Sequence, residues 1–150
     1  MADLQLHSPS FGDHDPIPGR HAHDHDNTSP PLTWSGVPSG TQELVLLCED
    51  PDAPRGTFLH WLVTGIDPAT TAVPEGTVPP GSTEWANDFG ERGWGGPQPP
   101  AGDKAHRYFF RLYALAKPVR LPSRPAPADV HRQVDEAALA SGTVVGVYQR

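Results

Sequence analysis

Proline and glycine interrupt this chain so often that long regular elements have no room. Its 19 prolines and 15 glycines are spread along the sequence rather than massed in one tract. Proline fixes φ and lacks the N–H that a ladder or helix needs, while glycine takes the unusual φ of tight turns. Between them lie short apolar runs, the pattern of a loop-rich, all-β protein. Leu32 and Trp34 alternate as in a half-buried strand, and Leu44-Val45-Leu46-Leu47 reads as a buried one. Asp3 to Ser8, His60 to Ile66, His106 to Leu115 and Thr143 to Tyr148 are further strand candidates. One helical pattern survives, Ala128 to Ala140. Pro127 suits its first turn, Val130, Val134, Ala137 and Ala138 share a face, and Gly142 is placed to cap its end. The fold expected is therefore all-β, an antiparallel two-sheet β-sandwich with a C-terminal α-helix. With 150 residues, no internal repeat and no linker, the chain is expected to form a single domain, 1–150.

Charge narrows the partners. Eleven basic residues stand against 18 acidic ones, a net −7, with no basic stripe to follow a phosphate backbone. Nucleic acid is excluded as a partner on that ground, and a flat anionic membrane should repel the chain. Cys48 is the only cysteine, so no intrachain disulfide can form. At the end of a buried strand it is expected to be an inert thiol. The stretch Met1-Ala2-Asp3-Leu4-Gln5 has neither a basic nor an apolar leader region, and the longest aliphatic run falls far short of a membrane span. The expectation is a cytoplasmic protein, not an integral membrane one, with no cofactor.

Two stretches concentrate the chemistry. Cys48-Glu49-Asp50-Pro51-Asp52-Ala53-Pro54 stiffens the chain after a strand, and His60-Trp61 opens the next. That places Asp50 or Asp52 near His60, and the sharp reversal favours a cis Ala53–Pro54 bond. Gly93-Trp94-Gly95-Gly96-Pro97-Gln98-Pro99-Pro100 likewise precedes His106, with Tyr108 on the same strand face.

Three chemistries compete. Nucleophilic catalysis through Asp50 and His60 lacks a G-x-S-x-G elbow. Metal binding has a weak candidate in His21, His23 and His25, whose spacing matches no defined zinc motif. Otherwise that segment reads as a solvated loop dispensable for folding. Anion binding fits best: His60, His106 and Tyr108 offer donors, and Gly95-Gly96 can aim backbone N–H groups at a phosphate or carboxylate. Asp50 or Asp52 would orient the histidines or take an ammonium. Trp85 and Trp94, in polar, Gly-rich surroundings, are candidates for a homodimer contact.

The motifs Asp50-Pro51-Asp52-Ala53-Pro54, His60-Trp61, Gly96-Pro97-x-Pro99-Pro100-x-Gly102 and His106-Arg107-Tyr108 resemble the phosphatidylethanolamine-binding protein family. Asn27-x-Ser29-Pro30-x-Leu32-x-Trp34 and Asn87-Asp88-Phe89-Gly90 resemble its bacterial branch, the Raf-kinase-inhibitor-like proteins. The similarity runs from Asn27 to Leu115. It implies a two-sheet sandwich with the C-terminal helix near a small pocket for phosphate, phosphoryl head groups or similar anions. The pocket residues it implies are Asp50, His60, Pro99, Pro100, His106 and Tyr108, with Asp52 and Gly96 in support. It also implies phospholipid head groups as ligands and a kinase or protease as an inhibited target. The chain departs from the pattern at His23-Asp24-His25-Asp26, where bacterial relatives tend to carry a Cys-Asp-Gly-like turn. Its helix also lacks the aromatic that eukaryotic members bring to the pocket, which implies a more open site. The expected activity is non-enzymatic binding, with a hydrolase using Asp50 and His60 or His106 as the alternative.

Overall fold

The apolar run 44–47 is continuous because its strand is covered on both faces. Leu44 and Leu46 enter one core, and Val45 and Leu47 enter a second. The computed structural model describes residues 4–150. Its elements are β1 (Gln5–His7), β2 (Asp15–Pro16), β3 (Leu32–Ser35), β4 (Glu43–Asp50), β5 (Phe58–Ile66), β6 (Ala72–Val73), β7 (Thr83–Glu84), β8 (His106–Leu115), α1 (Pro127–Ala137) and β9 (Ala138–Tyr148). The expected first strand begins at Asp3, which lies outside the described residues.

The chain is mostly β, with two sheets and one helix. Six strands form the larger sheet in the order β2-β9-β8-β4-β5-β7, and β1-β3-β6 form the smaller. Pairing is antiparallel except at the edge, where β2 runs parallel to β9 through Asp15–Gly146 and Pro16–Val147. This corrects the purely antiparallel expectation, and it comes from a two-residue strand too short to show periodicity.

The first core joins Leu6, Leu32, Trp34 and Val73 of the smaller sheet to Cys48, Trp61, Tyr108, Phe110 and Leu112 of the larger. The second lies on the other face of the larger sheet, where α1 sets Val130, Val134 and Ala137 against Leu47, Leu59, Leu62 and Leu115. His131 of α1 also bonds to the buried Glu49 carboxylate, Nε2 to Oε1 at 2.7 Å. The helix is therefore a third layer.

The end of the helix differs from the sequence expectation. Ala138 is already extended and pairs with Leu115, so β9 follows α1 without a loop. Gly142 lies inside β9 and caps nothing. Its lack of a side chain serves a close approach, since a Cβ there would lie 2.6 Å from the Leu4 carbonyl oxygen.

The histidine-rich segment is also part of the folded body, not a dispensable loop. His21 is fully buried, its Nδ1 2.6 Å from the Thr28 carbonyl and its Nε2 3.0 Å from the Ser10 hydroxyl. The carbonyl can only accept, so Nδ1 carries the proton, and burial lowers the pKa of the ring. A histidine with both nitrogens bonded can sit in a core, which an aliphatic count does not register. His21→Ala is expected to cost about 2 kcal/mol from the lost contacts and the unpaired Thr28 carbonyl. The exposed His25→Ser should change stability by less than about 0.5 kcal/mol. Urea unfolding of the two variants measures both.

His21, His23 and His25 do not converge. His21 points inward, His23 stacks on Phe89 at 4.1 Å between ring centroids, and His25 is exposed. Among the described residues no group of three or more His, Cys, Asp or Glu side chains is placed to hold a metal ion. The two tryptophans proposed for a dimer contact are turned inward as well. Trp94 stacks on Phe110, and Trp85 donates its Nε1–H to the Thr64 hydroxyl while packing on the second core. No described helix is long and apolar enough to cross a membrane.

Candidate functional site

Three strand ends meet above the first core: the end of β4 at Asp50, the start of β5 at Phe58 to His60, and the start of β8 at His106. Antiparallel pairing of β4 with both neighbours brings these ends to one end of the sheet. A β-bulge then sets His60. The ladder steps from Cys48–Trp61 to Glu49–Leu59, which leaves His60 without a partner of its own. Leu59 thus enters the second core and Trp61 the first, although a regular strand would put both on one face. The extra residue re-aims the imidazole toward the cavity.

The loop after β4 is shaped by side-chain bonds. Asp50 Oδ1 accepts the Asp52 N–H at 2.7 Å, and Gly56 closes a turn on the Ala53 carbonyl with φ +106°. These two devices reverse the chain. The Ala53–Pro54 bond is trans, as is every peptide bond among the described residues, so the cis expectation is corrected. Asp52 faces away from the cavity and accepts three bonds from Arg107, from its backbone N–H, Nε and Nη2. It staples the loop to β8 and supports the rim.

Asp50 bonds not to His60 but to His106, Oδ2 to Nδ1 at 2.7 Å with both groups buried. The other nitrogen of His106 faces the Asp103 carboxylate at 3.3 Å. Burial opposes charge on His106, but the bond to Asp50, its charge and then Asp103 together outweigh it and raise the pKa. The Asp50 pKa is raised too, because burial outweighs the bonds from His106 and the Asp52 N–H. His60 is different. Its Nδ1–H donates to the Gly95 carbonyl at 2.6 Å, and burial lowers its pKa to about 4, so it is neutral at pH 7. Tyr108 supports His60 edge-on at 5.1 Å, and burial pushes its hydroxyl pKa well up. Cys48 is fully buried, and burial raises its thiol pKa likewise.

A cavity of about 320 Å³ opens here. Asp50, His60, Pro99, Pro100 and His106 line it, so five of the residues expected from sequence come together. Tyr108, Asp52 and Gly96 are not on its wall. The glycine expectation needs correction, because both N–H groups are already engaged. Gly95 donates to the His60 carbonyl at 3.0 Å and Gly96 to Asn27 Oδ1 at 2.7 Å. Nor does α1 reach the cavity: it covers the opposite face of the sheet, and none of its residues is on the wall.

Ala53, Pro54 and Gly56 of the loop after β4 also line it, and Arg55, Phe58, Phe89 and Gln98 complete the wall with side chains to which the sequence assigns no role. Phe89 carried a faint signal, since Asn87-Asp88-Phe89-Gly90 was among the matching blocks. The Asn87 side chain accepts the N–H groups of Phe89 and Glu91, forming the turn that presents the Phe89 ring.

Fold and cavity together define a two-sheet β protein with a carboxylate–histidine pocket at one end of the larger sheet. Residues 7–149 match the family model described as phosphatidylethanolamine-binding protein. A UPF0098 protein of Methanothermobacter thermautotrophicus is 40% identical over 152 residues, covering 98% of this chain and 99% of the relative. The Mycobacterium tuberculosis protein named as a lipoprotein, LppC, is 38% identical, covering 97% of this chain and 72% of the relative. The crystal structure of Escherichia coli YbcL superposes with a TM-score of 0.92 at 32% identity, covering 99% of each chain. This chain belongs to the phosphatidylethanolamine-binding protein family. With a lipoprotein named among the relatives, the expected cytoplasmic location does not follow from membership.

Proposed function

We propose that this chain is a non-enzymatic binding protein that seats a small anion, phosphoryl or carboxyl, against His106. One observation carries the reading: an anionic oxygen already occupies that position. Asp103 holds its carboxylate 3.3 Å from His106 Nε2 while 45% of its side chain is exposed. A long bond from an exposed loop residue is one that an external oxyanion can displace. The inner nitrogen stays with Asp50, which fixes the ring and favours its protonated, donating form. The family extends the reading to phospholipid head groups and to inhibition of a kinase or protease target.

The pH dependence follows from His106, whose protonation is coupled to its partner Asp50. Its raised pKa keeps the cation through the acidic side of neutrality, so binding is strong at low pH and fades as pH rises through that pKa. His60, with a pKa of about 4, adds no charge between pH 5.5 and 8. Acetate and dimethyl phosphate keep one charge over that range and so report on the protein. Calorimetry should give dissociation constants on the order of micromolar to millimolar. Affinity should be higher at pH 5.5 than at pH 8, and His106→Ala should lower it by about tenfold. Equal affinity at both pH values, or an unaffected variant, would remove the reading.

The enzymatic alternative would use Asp50 with His106 or His60 to activate a nucleophile. No Ser, Thr or Cys is among the residues lining the cavity, so water would have to serve. Ester and phosphoester substrates are expected to survive incubation with the protein; turnover abolished by Asp50→Asn would favour the hydrolase.

A further inference from the structure

We infer that Arg55 supplies the cationic arm of this cavity, and that its single charge above an aromatic wall selects monoanions carrying an apolar body over doubly charged or bare anions. The inference rests on the anion-binding reading and names the class of ligand.

Asp50 and Asp103 carry one negative charge each, and His106, bonded to both, carries one positive charge when protonated. Asp52 is met by Arg107, and its charge is answered at the rim. His60 has its Nδ1–H on the Gly95 carbonyl and stays neutral. With His106 protonated the inner groups sum to about −1, and with it neutral to about −2, so an anion entering among them meets net repulsion unless a further cation takes part. Arg55 lines the cavity, is exposed, and has no ion pair or side-chain hydrogen bond among the described residues. In a chain of net charge −7 this guanidinium is unpaired, while Glu49, Asp50 and Asp52 are already engaged by Arg111 and His131, by His106 and by Arg107 respectively.

The backbone sets the position of Arg55. Arg55 sits between Pro54, whose φ is fixed, and Gly56, whose φ of +106° closes the turn on Ala53. The tip is thus set by its own residues, and the flexible guanidinium can close on a ligand without backbone movement. With Arg55 included and His106 protonated the site sums to about zero. A monoanion is then matched by one guanidinium, while a dianion brings a second charge against Asp50 and Asp103.

The wall accounts for the apolar body. Phe58 and Phe89 meet edge to face at 4.7 Å, and His23 stacks behind Phe89 at 4.1 Å. Pro54, Pro99 and Pro100 add carbon surface, and the volume of about 320 Å³ exceeds what one inorganic oxyanion fills. It reaches the lower end of organic-ligand pockets, roughly 300 Å³.

Calorimetry at pH 7.5 tests this with paired probes. Methyl phenyl phosphate is a monoanion, whereas phenyl phosphate is largely a dianion, with a second pKa of about 6. Benzoate and acetate share one charge and differ in the ring. Wild type should bind the diester and benzoate roughly tenfold or more tighter than their partners. Arg55→Ala should weaken benzoate and the diester by about tenfold, and Arg55→Lys by less, because lysine keeps the charge without the planar fork. Arg55 is exposed, so the melting temperature of both variants should match wild type. Benzoate binding by Arg55→Ala within about twofold of wild type would overturn this inference alone. So would a wild type that prefers phenyl phosphate or acetate. Wild type binding none of the four anions would overturn the anion reading itself.

Discussion

Gly96→Ala should cost this protein roughly 3–5 kcal/mol, a large part of the 5–15 kcal/mol that holds a typical domain together. A Cβ at Gly96 would fall 1.9 Å from the carbonyl oxygen of His21, 2.9 Å from the His23 nitrogen and 3.0 Å from the Ala22 carbonyl carbon. All three are backbone atoms, so no rotamer change can clear them. The segments must part, and the bonds that join them go with the contact. Gly96 N–H donates to Asn27 Oδ1 at 2.7 Å, His23 N–H to the Pro97 carbonyl at 3.0 Å, and Trp94 Nε1–H to the His21 carbonyl at 3.1 Å. Gly40→Ala is the control. It has φ +87° and no atom within 4 Å of a new Cβ, so it should lose only about 1 kcal/mol of backbone preference. Urea titration should show a much lower midpoint for Gly96→Ala at an unchanged slope. If it unfolds no more easily than Gly40→Ala, the two segments are not pressed together as described.

A second large effect is expected from acid. His60 is held at a pKa of about 4 against an ordinary 6.5, chiefly by burial. The unfolded chain therefore takes up this proton first, and between those two values it binds more protons than the folded one. Stability from this group is complete above about pH 6.5 and falls toward pH 4, by about 3 kcal/mol in all. His106 works with the opposite sign, since its raised pKa adds stability on the acid side, so wild type alone reports the difference of the two. His60→Gln isolates the contribution of His60, because glutamine can still donate to the Gly95 carbonyl and never gains a proton. The variant should be less stable than wild type at pH 7.5 and equal or more stable at pH 4.5. A constant gap between the two proteins across that range would mean that His60 titrates normally.

What could be read from sequence was what local chemistry decides. The bounds of β8, His106–Leu115, follow from an aromatic run opened by a loop of glycine and proline. Leu32 and Trp34 alternate with exposed neighbours as their period-two pattern requires. Five residues drawn from four separated motifs line one cavity, because rigid loops before and after short strands leave functional side chains at strand ends. Other features had only a partial local trace. The Leu44 run revealed burial but not that a helix covers one of its faces. Gly96 was singled out as a donor of N–H groups, yet it matters because it has no side chain.

The tertiary structure decided how those groups meet. Nothing within the sequence near His60 shows that β5 gains a residue against β4, since a bulge is a mismatch between two strands and belongs to neither alone. Nor does the sequence show that Asp50 bonds His106, that Asp103 shares the same ring, or that His21 is sealed between Ser10 and Thr28. Each depends on register and close approach between residues far apart in the chain. Composition and spacing determine which groups are available and which segments extend. The pairing of distant strands determines which imidazole is charged, which is neutral and which is buried.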